Sequence, residues 1–592
     1  MTGHPEANHP GPTSRPIPPN TPPNVPPTPD PPAAPTAAPP APEQGERAAA
    51  QSGGGRGANL LRSGALMALG TVFSRITGFL RTAVLGAAIG TAALGDAYNT
   101  ANTIPVIVYD LLLGGILTAV VVPLIVRAKE RDAKYGARFE QRLFTLAVLG
   151  LAVMTAVAVL LAPIFIDYVY ARDFSGDKRD LAVLFTRLFA VQIFFLGISA
   201  FAGAILNTRD RFAAPMWAPV LNNIVICCTG VLFILVTTGT VTPESITSGQ
   251  VAILAGGTIG GIAMQTLALW PSLRGSGFRW RPRLDFQGGE LRQIMSMAGW
   301  SLLYLVATQT AFAVTTSLLN AAGDAAPGHG YSPYSYAYQL FQLPYAIIGV
   351  TVITALLPRM SSHAAEGRTA LVRDDFSSGL RLASVIILPA AALMVVLGPE
   401  IIAVTLEHGE IDRDAGLVIA HIMQVFAVAL VPFAAYQLTL RVFYAHNDTR
   451  TPAFIVLAVI ATNITVAVTA SALLDPERVA VAIAGGFALA QTVGLLVSWL
   501  VLRRKLGGID GRRIVGTHVK LLVAICPLAG FAYAVQAIVD AWLGPGFAPA
   551  LLSLIVGGAG GGILYLVFAR LLRVAEVQTM LSTVTRRLPG RG

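Results

Sequence analysis

From residue 60 onward the chain repeats one pattern, apolar runs of about 20 to 28 residues separated by short polar breaks. At 1.5 Å per residue each run spans a hydrocarbon core of roughly 30 Å. Backbone polar groups in lipid must be satisfied within the segment, so each run is restricted to a helix. Runs near 64–90, 97–125, 143–166, 181–206, 215–239, 250–271, 294–319, 333–357, 379–404, 415–444, 452–474, 479–502, 517–540 and 548–572 predict fourteen transmembrane helices. The expected fold class is an all-α polytopic membrane protein.

Composition agrees. Charged residues are 12% of the chain, against about 25% in soluble proteins. That excludes a soluble enzyme of this size, and 54% hydrophobic residues exclude a disordered chain. A net charge of +10 invites nucleic acid, but with a mean hydropathy of +0.63 it points instead to a membrane protein with a basic cytoplasmic face. Cys227, Cys228 and Cys526 lie in apolar runs at no ligand or disulfide spacing, and are expected to be buried, inert thiols. There is no G-x-x-x-x-G-K-[ST] loop, no H-E-x-x-H and no metal-ligand cluster, so a transporter is expected rather than an enzyme.

Seventeen of the 38 prolines fall in the first 42 residues, which makes 1–58 an expected disordered cytoplasmic tail. It lacks the apolar core of a signal peptide. Docking to a proline-reading, cell-wall synthesis or division partner is its alternative role. Alternate loops carry basic clusters, such as Arg127 to Arg142, Arg274 to Arg292 and Arg503 to Lys520. The opposite loops hold only Arg172, Lys178, Arg179, Arg413 and Arg478. This asymmetry predicts a multi-pass plasma-membrane protein with both termini cytoplasmic.

The turn Asn207 to Phe212, leading to Pro215 and Asn222-Asn223, recurs as His446 to Arg450, leading to Pro452 and Asn463, about 237 residues later. Both turns follow an even-numbered helix. Two six-helix lobes in one orientation are therefore expected, 59–275 and 276–505. Two further helices follow over 506–575 and a cytoplasmic tail over 576–592.

A charge at mid-membrane costs at least about 2.5 to 3.5 kcal/mol and normally faces a cavity or a partner. Arg75 lies some 16 Å into helix 1, too deep to snorkel. Arg81 is rotated from it by about 240°, and a bend at Gly78 would let both reach one cavity. Arg187 in helix 4 is nearer a helix end, where snorkelling competes with function. In helix 2, Asn99, Asn102, Tyr109 and Asp110 form a polar stripe. Asp96 either caps that helix or faces the cavity. Asp110 either pairs with an arginine or holds it until an anionic substrate displaces it. An arginine-rich cavity suits phosphate, which guanidinium binds bidentately. The second half offers neutral groups only: Thr308, Gln309, Gln339, Gln342, Asn463 and Gln491. His421 is expected to be packed.

Ser74-Arg75-Ile76-Thr77-Gly78-Phe79-Leu80-Arg81, Gly95-Asp96-Ala97-Tyr98, Pro105 and Val122-Pro123 resemble the opening of the MurJ (MviN) family. Leu206 to Pro215 with Pro219 and Asn222, Thr186-Arg187, Leu357-Pro358, and Phe443 to Pro452 resemble later parts of it, and the likeness spans roughly 60–575. The resemblance implies an alternating-access flippase for lipid II, the undecaprenyl-pyrophosphate-linked peptidoglycan precursor, within the multidrug and oligosaccharidyl-lipid exporter superfamily. It implies that Arg75, Arg81 and Asp96 line a central cavity, the arginines facing pyrophosphate, and that helices 13 and 14 form a groove for the lipid tail. Where many members carry helix 2 arginines this chain has Tyr109 and Asp110, and Tyr338-Gln339 replaces a frequent Asp-Arg pair. Asn99, Asn102, Asp110, Arg187 and Gln339 complete the candidate substrate site. A carboxylate-based sodium site is not expected. Coupling to protons or to the membrane potential, with no cofactor, is. Export of another polyprenyl-pyrophosphate-linked glycan, or a drug or cation antiporter of the same superfamily, are the alternatives; an arginine-rich cavity disfavours the latter.

Overall fold

The computed structural model describes residues 69–111, 125, 132–209, 211–284, 290–446 and 448–580. The proline-rich tail expected over 1–58 lies outside the described residues, as does Val122-Pro123. Each of the fourteen expected positions carries helix. The first lobe holds α1 (Leu69–Ile89), α2 (Ala93–Leu111), α3 (Ala133–Ile164), α4 (Gly176–Asn207), α5 (Ala213–Val236) and α6 (Ser248–Gly275). The second holds α7 (Glu290–Ala325), α8 (Tyr331–Pro344 and Val350–Ala365, joined by a π turn at Tyr345–Gly349), α9 (Thr369–Val396), α10 (Arg413–Ala445), α11 (Arg450–Leu473) and α12 (Pro476–Lys505). Then come α13 (Gly511–Leu543) and α14 (Phe547–Leu571). Among the described residues, eleven of these helices are long and apolar enough to cross a membrane. The remaining three are α2, described over 19 residues, α7, and the interrupted α8.

Three details differ from expectation. The run near 379–404 is not one helix: α9 stops at Val396, and Gly398-Pro399 starts a separate two-turn helix, Gly398–Thr405. Proline is favoured at a first turn, where its missing N–H has no partner to lose. Several helices also extend beyond their apolar runs; α4 begins at Gly176, five residues early. The cysteines are not all buried: Cys227 is half-buried, while Cys228 and Cys526 are exposed. Lipid tolerates an apolar thiol on an outer helix face, so position in an apolar run does not imply burial.

The duplication is visible in the packing. In the first lobe α2 packs on α4, α4 on α3 and α6, and α5 on α6. Six helices later α8 packs on α10, α10 on α9 and α12, and α11 on α12. The repeated turns share their bonds too. Arg209 N–H donates to Leu206 O and Arg211 N–H to the same oxygen; His446 N–H donates to Phe443 O and Asp448 N–H to the same oxygen. After the turn, Asn223 of α5 donates to Ser74 O (3.1 Å) and Thr77 Oγ1 (3.0 Å) of α1. Its counterpart Asn463 of α11 accepts from Thr315 Oγ1 of α7 (3.4 Å). The C-terminal pair α13–α14 packs against α9 and the two-turn helix, and the Tyr565 hydroxyl bonds Val385 O (2.6 Å).

Candidate functional site

The two lobes meet where α2 lies against α7 and α8. The contact is polar and sits at the end of the bundle away from the basic loops. Asp96 is fully buried there. Its Oδ1 accepts the backbone N–H of Ser332 (2.9 Å), in the first turn of α8. Asp96 therefore caps a helix, but the helix of the other lobe and not its own. A carboxylate at a helix N-terminus satisfies an otherwise orphaned N–H and meets the positive end of the dipole. Its Oδ2 has no hydrogen bond and packs against two glycines; a Cβ added at Gly323 or Gly330 would fall 2.7 or 2.6 Å from it.

The contact continues down α2. Asn99 donates to Ser332 Oγ (2.9 Å) and to the Tyr336 hydroxyl (3.2 Å). Thr100 bonds Asn320 of α7 (3.1 Å), and Asn320 donates to Tyr170 O (2.8 Å). The Thr103 hydroxyl already donates to Asn99 O, so Tyr331 is the donor in its 3.0 Å bond to Thr103. Lys178 pairs with Asp324 (3.3 Å) across the same junction and lies over the Phe174 ring. At the end of α1, Ala87 O accepts from Glu410 N–H (2.9 Å), and Gly409 at φ +61° makes this close approach possible. The sequence predicted Asp96 and Asn99 as site residues. It missed Gly323, Gly330, Asn320, Ser332 and Tyr336, whose only sequence signal is a Tyr-rich start to α8 (Tyr331, Tyr334, Tyr336).

The other candidates are placed differently. Asn102 accepts from Gln192 of α4 (3.2 Å), within the first lobe. Gln339 of α8 accepts from Thr82 Oγ1 of α1 (2.5 Å), a further bond between lobes. Arg75 and Arg187 are exposed and make no hydrogen bond or ion pair with a described residue. Although α4 starts at Gly176, its first residues Asp177-Lys178-Arg179-Asp180 are charged, so Arg187 stays about two turns into the apolar run, as the sequence suggested. Arg81 is half-buried and faces Tyr98 and Cys227 inside the first lobe. Thus Arg75 is exposed, whereas Arg81 is half-covered within the first lobe. Asp110 is helical, but its side chain lies outside the described residues. His421, expected to be packed, is exposed. Among the described residues no group of three His, Cys, Asp or Glu side chains could hold a metal.

Two duplicated helical lobes, joined at one end by a polar contact and carrying exposed arginines deep in their helices, define a membrane transporter of the alternating two-lobe kind. The comparisons make this specific. The family model described as lipid II flippase MurJ matches residues 85–553, which places the chain in that family. Arg75 and Arg81 lie just ahead of the matched range. Similar proteins include a probable lipid II flippase MurJ of Rhizobium meliloti (strain 1021), 27% identical over 455 residues, 75% of this chain and 80% of the relative. Another is the lipid II flippase MurJ of Burkholderia cenocepacia, 24% identical over 409 residues, 68% and 76% of the two chains. Among solved structures, a lipid II flippase MurJ in an inward closed conformation superposes with TM-score 0.68 at 18% identity, covering 86% of this chain and 99% of that one. An inward-facing multidrug resistance MATE family transporter of the MOP superfamily superposes with TM-score 0.60 at 14% identity, covering 74% and 96%. At these identities the structures speak for the fold.

Proposed function

We propose that this chain is the flippase that carries lipid II from the cytoplasmic to the outer leaflet of the plasma membrane, by alternating access, for cell-wall synthesis. It is a transporter and performs no covalent chemistry. The observation that carries the reading beyond the family is the division of labour among its intramembrane charges. Asp96 is spent on the contact between lobes, while Arg75 and Arg187 stay exposed at depths where an arginine facing lipid alone is costly. A guanidinium held there without a partner among the described residues suits a pyrophosphate arriving from outside the protein.

The basic loops mark the cytoplasmic side, so both termini are cytoplasmic and the Asp96 contact closes the outer side. Transport then requires the α2–α8 contact to break as the opposite side closes. The same cap would re-form once the pyrophosphate has left. Coupling is to protons or to the membrane potential; neutral groups alone occupy the Thr315–Asn463 contact between α7 and α11. The pair α13–α14 offers its outer faces to the polyprenyl tail, and the N-terminal tail is free to dock cell-wall synthesis or division proteins. The test is depletion of the protein followed by a leaflet-specific lipid II assay. Lipid II should accumulate on the inner leaflet. Normal outer-leaflet exposure in depleted cells would refute the proposal.

A further inference from the structure

A groove of about 890 Å³ lies on the second lobe, where α10 is left uncovered between the end of α9 and the start of α12. Its floor is Val395, Val418, Val425, Val428 and Val481. Gln424, the polar residue in that floor, is tied off: its Nε2 donates to Val395 O (2.7 Å). His329, whose ring bonds Pro327 O, also lines the groove, and the other polar groups at its rim are His421, Glu477 and Arg478. These last three are exposed, and none has a side-chain hydrogen bond or ion pair with a described residue. The N-terminus of α12 opens at this rim, with Asp475 at its N-cap position, Pro476 without an N–H, and the Arg478 N–H donating to Asp475 O (2.9 Å). From His421 to Val428 the groove descends seven residues along α10, about 10 Å.

The charges at the rim select the occupant. The Arg478 guanidinium favours a phosphate. Glu477, one residue away, needs a cationic N–H donor. A headgroup with both a phosphate and a primary ammonium answers each of them. Phosphatidylglycerol would leave Glu477 facing added negative charge, and phosphatidylcholine has no N–H to donate. We propose that this groove is a binding site for an ethanolamine phospholipid of the leaflet on the Asp96 side. Its phosphate lies at Arg478, its ammonium at Glu477, and one acyl chain on the valine floor. None of Arg75, Arg81 and Arg187 lines the groove, so the site stands or falls independently of the transport reading.

The test uses the full chain in nanodiscs of equal parts phosphatidylethanolamine, phosphatidylglycerol and phosphatidylcholine, followed by release into mild detergent and native mass spectrometry. The wild type should retain one phosphatidylethanolamine. Arg478→Ala should weaken retention about tenfold, the scale of one charge-assisted hydrogen bond. Val428→Trp, which fills the floor, should abolish it. Glu477→Gln should retain lipid but lose the preference for ethanolamine over choline. Val153→Trp, at an exposed valine of α3, is the control and should behave as wild type, as should the melting temperatures of all four. Retention of the three lipids in bulk proportion would overturn the proposal. So would preferential retention of phosphatidylglycerol, displacement by an added polyprenyl pyrophosphate, or retention unchanged in Arg478→Ala and Val428→Trp.

Discussion

Arg75 and Asp96 are both charges within membrane helices, but they meet the cost of that position in different ways. Asp96 is fully buried and spends its charge on the first turn of α8. Asp96→Ala should therefore loosen the lobe contact by about 0.5–2 kcal/mol, the range for loss of a helix cap, whereas Asp96→Asn keeps an acceptor and should do less. Labelling of an Asn102→Cys reporter by a charged maleimide from the Asp96 side reads this directly. It should rise severalfold in Asp96→Ala, and equal labelling in all backgrounds would show that Asp96 does not hold that side shut. Gly330→Ala should raise labelling in the same way, because its Cβ would fall 2.6 Å from Asp96 Oδ2. The depth given to Arg75 rests on counting residues along an apolar run whose start, 64–68, lies outside the described residues. The partner of Asp96 was not legible in the sequence, because Ser332 lies in the other lobe and no local pattern connects them.

Repeated elements carry the duplication more clearly than repeated residues do. The turns after α4 and α10 differ in sequence, yet make the same pair of backbone bonds to Leu206 O and Phe443 O. Asn223 and Asn463 then tie α5 to α1 and α11 to α7. Asn223 makes two bonds near 3 Å and Asn463 one at 3.4 Å, so Asn223→Leu should lower the melting temperature more than Asn463→Leu. Interhelical bonds in membranes average roughly 0.6 kcal/mol each and reach about 1.7. An equal effect of the two substitutions would contradict this ordering. In the second turn, burial pushes Asp448 up, but Lys505 (2.7 Å) and Thr451 (3.0 Å to N, 2.9 Å to Oγ1) outweigh it and hold the carboxyl below its usual range. A depressed carboxylate stabilises the fold above the ordinary value near 3.8, and that contribution is lost as pH falls through the folded value. Asp448→Asn should thus lower the melting temperature at pH 7 and converge on wild type in acid; a pH-independent difference would refute the assignment. Apolar runs located the helices. They did not show that α9 breaks at Gly398-Pro399, or that α8 passes through a π turn, since each interruption leaves the run apolar.

For the whole molecule, the fold was readable because lipid leaves so few options: run length gave helix number, and the repeated turn gave two lobes. The site was readable only in part. Intramembrane arginines announce an anion, but which charges are free and which are consumed between lobes depends on contacts between α2 and α8, more than 200 residues apart. The account makes the tail dispensable for transport. Deletion of residues 1–58 should leave lipid II exposure at the wild-type rate and alter at most where the protein is placed in the cell. Lost exposure with normal protein levels would contradict that. The most direct measurement is outer-leaflet lipid II in depleted cells rescued with wild type, Arg75→Ala or Arg187→Ala at matched protein levels. The account predicts full exposure with wild type and accumulation on the inner leaflet with either variant. Wild-type exposure from Arg75→Ala would contradict the assignment of the intramembrane arginines to the pyrophosphate.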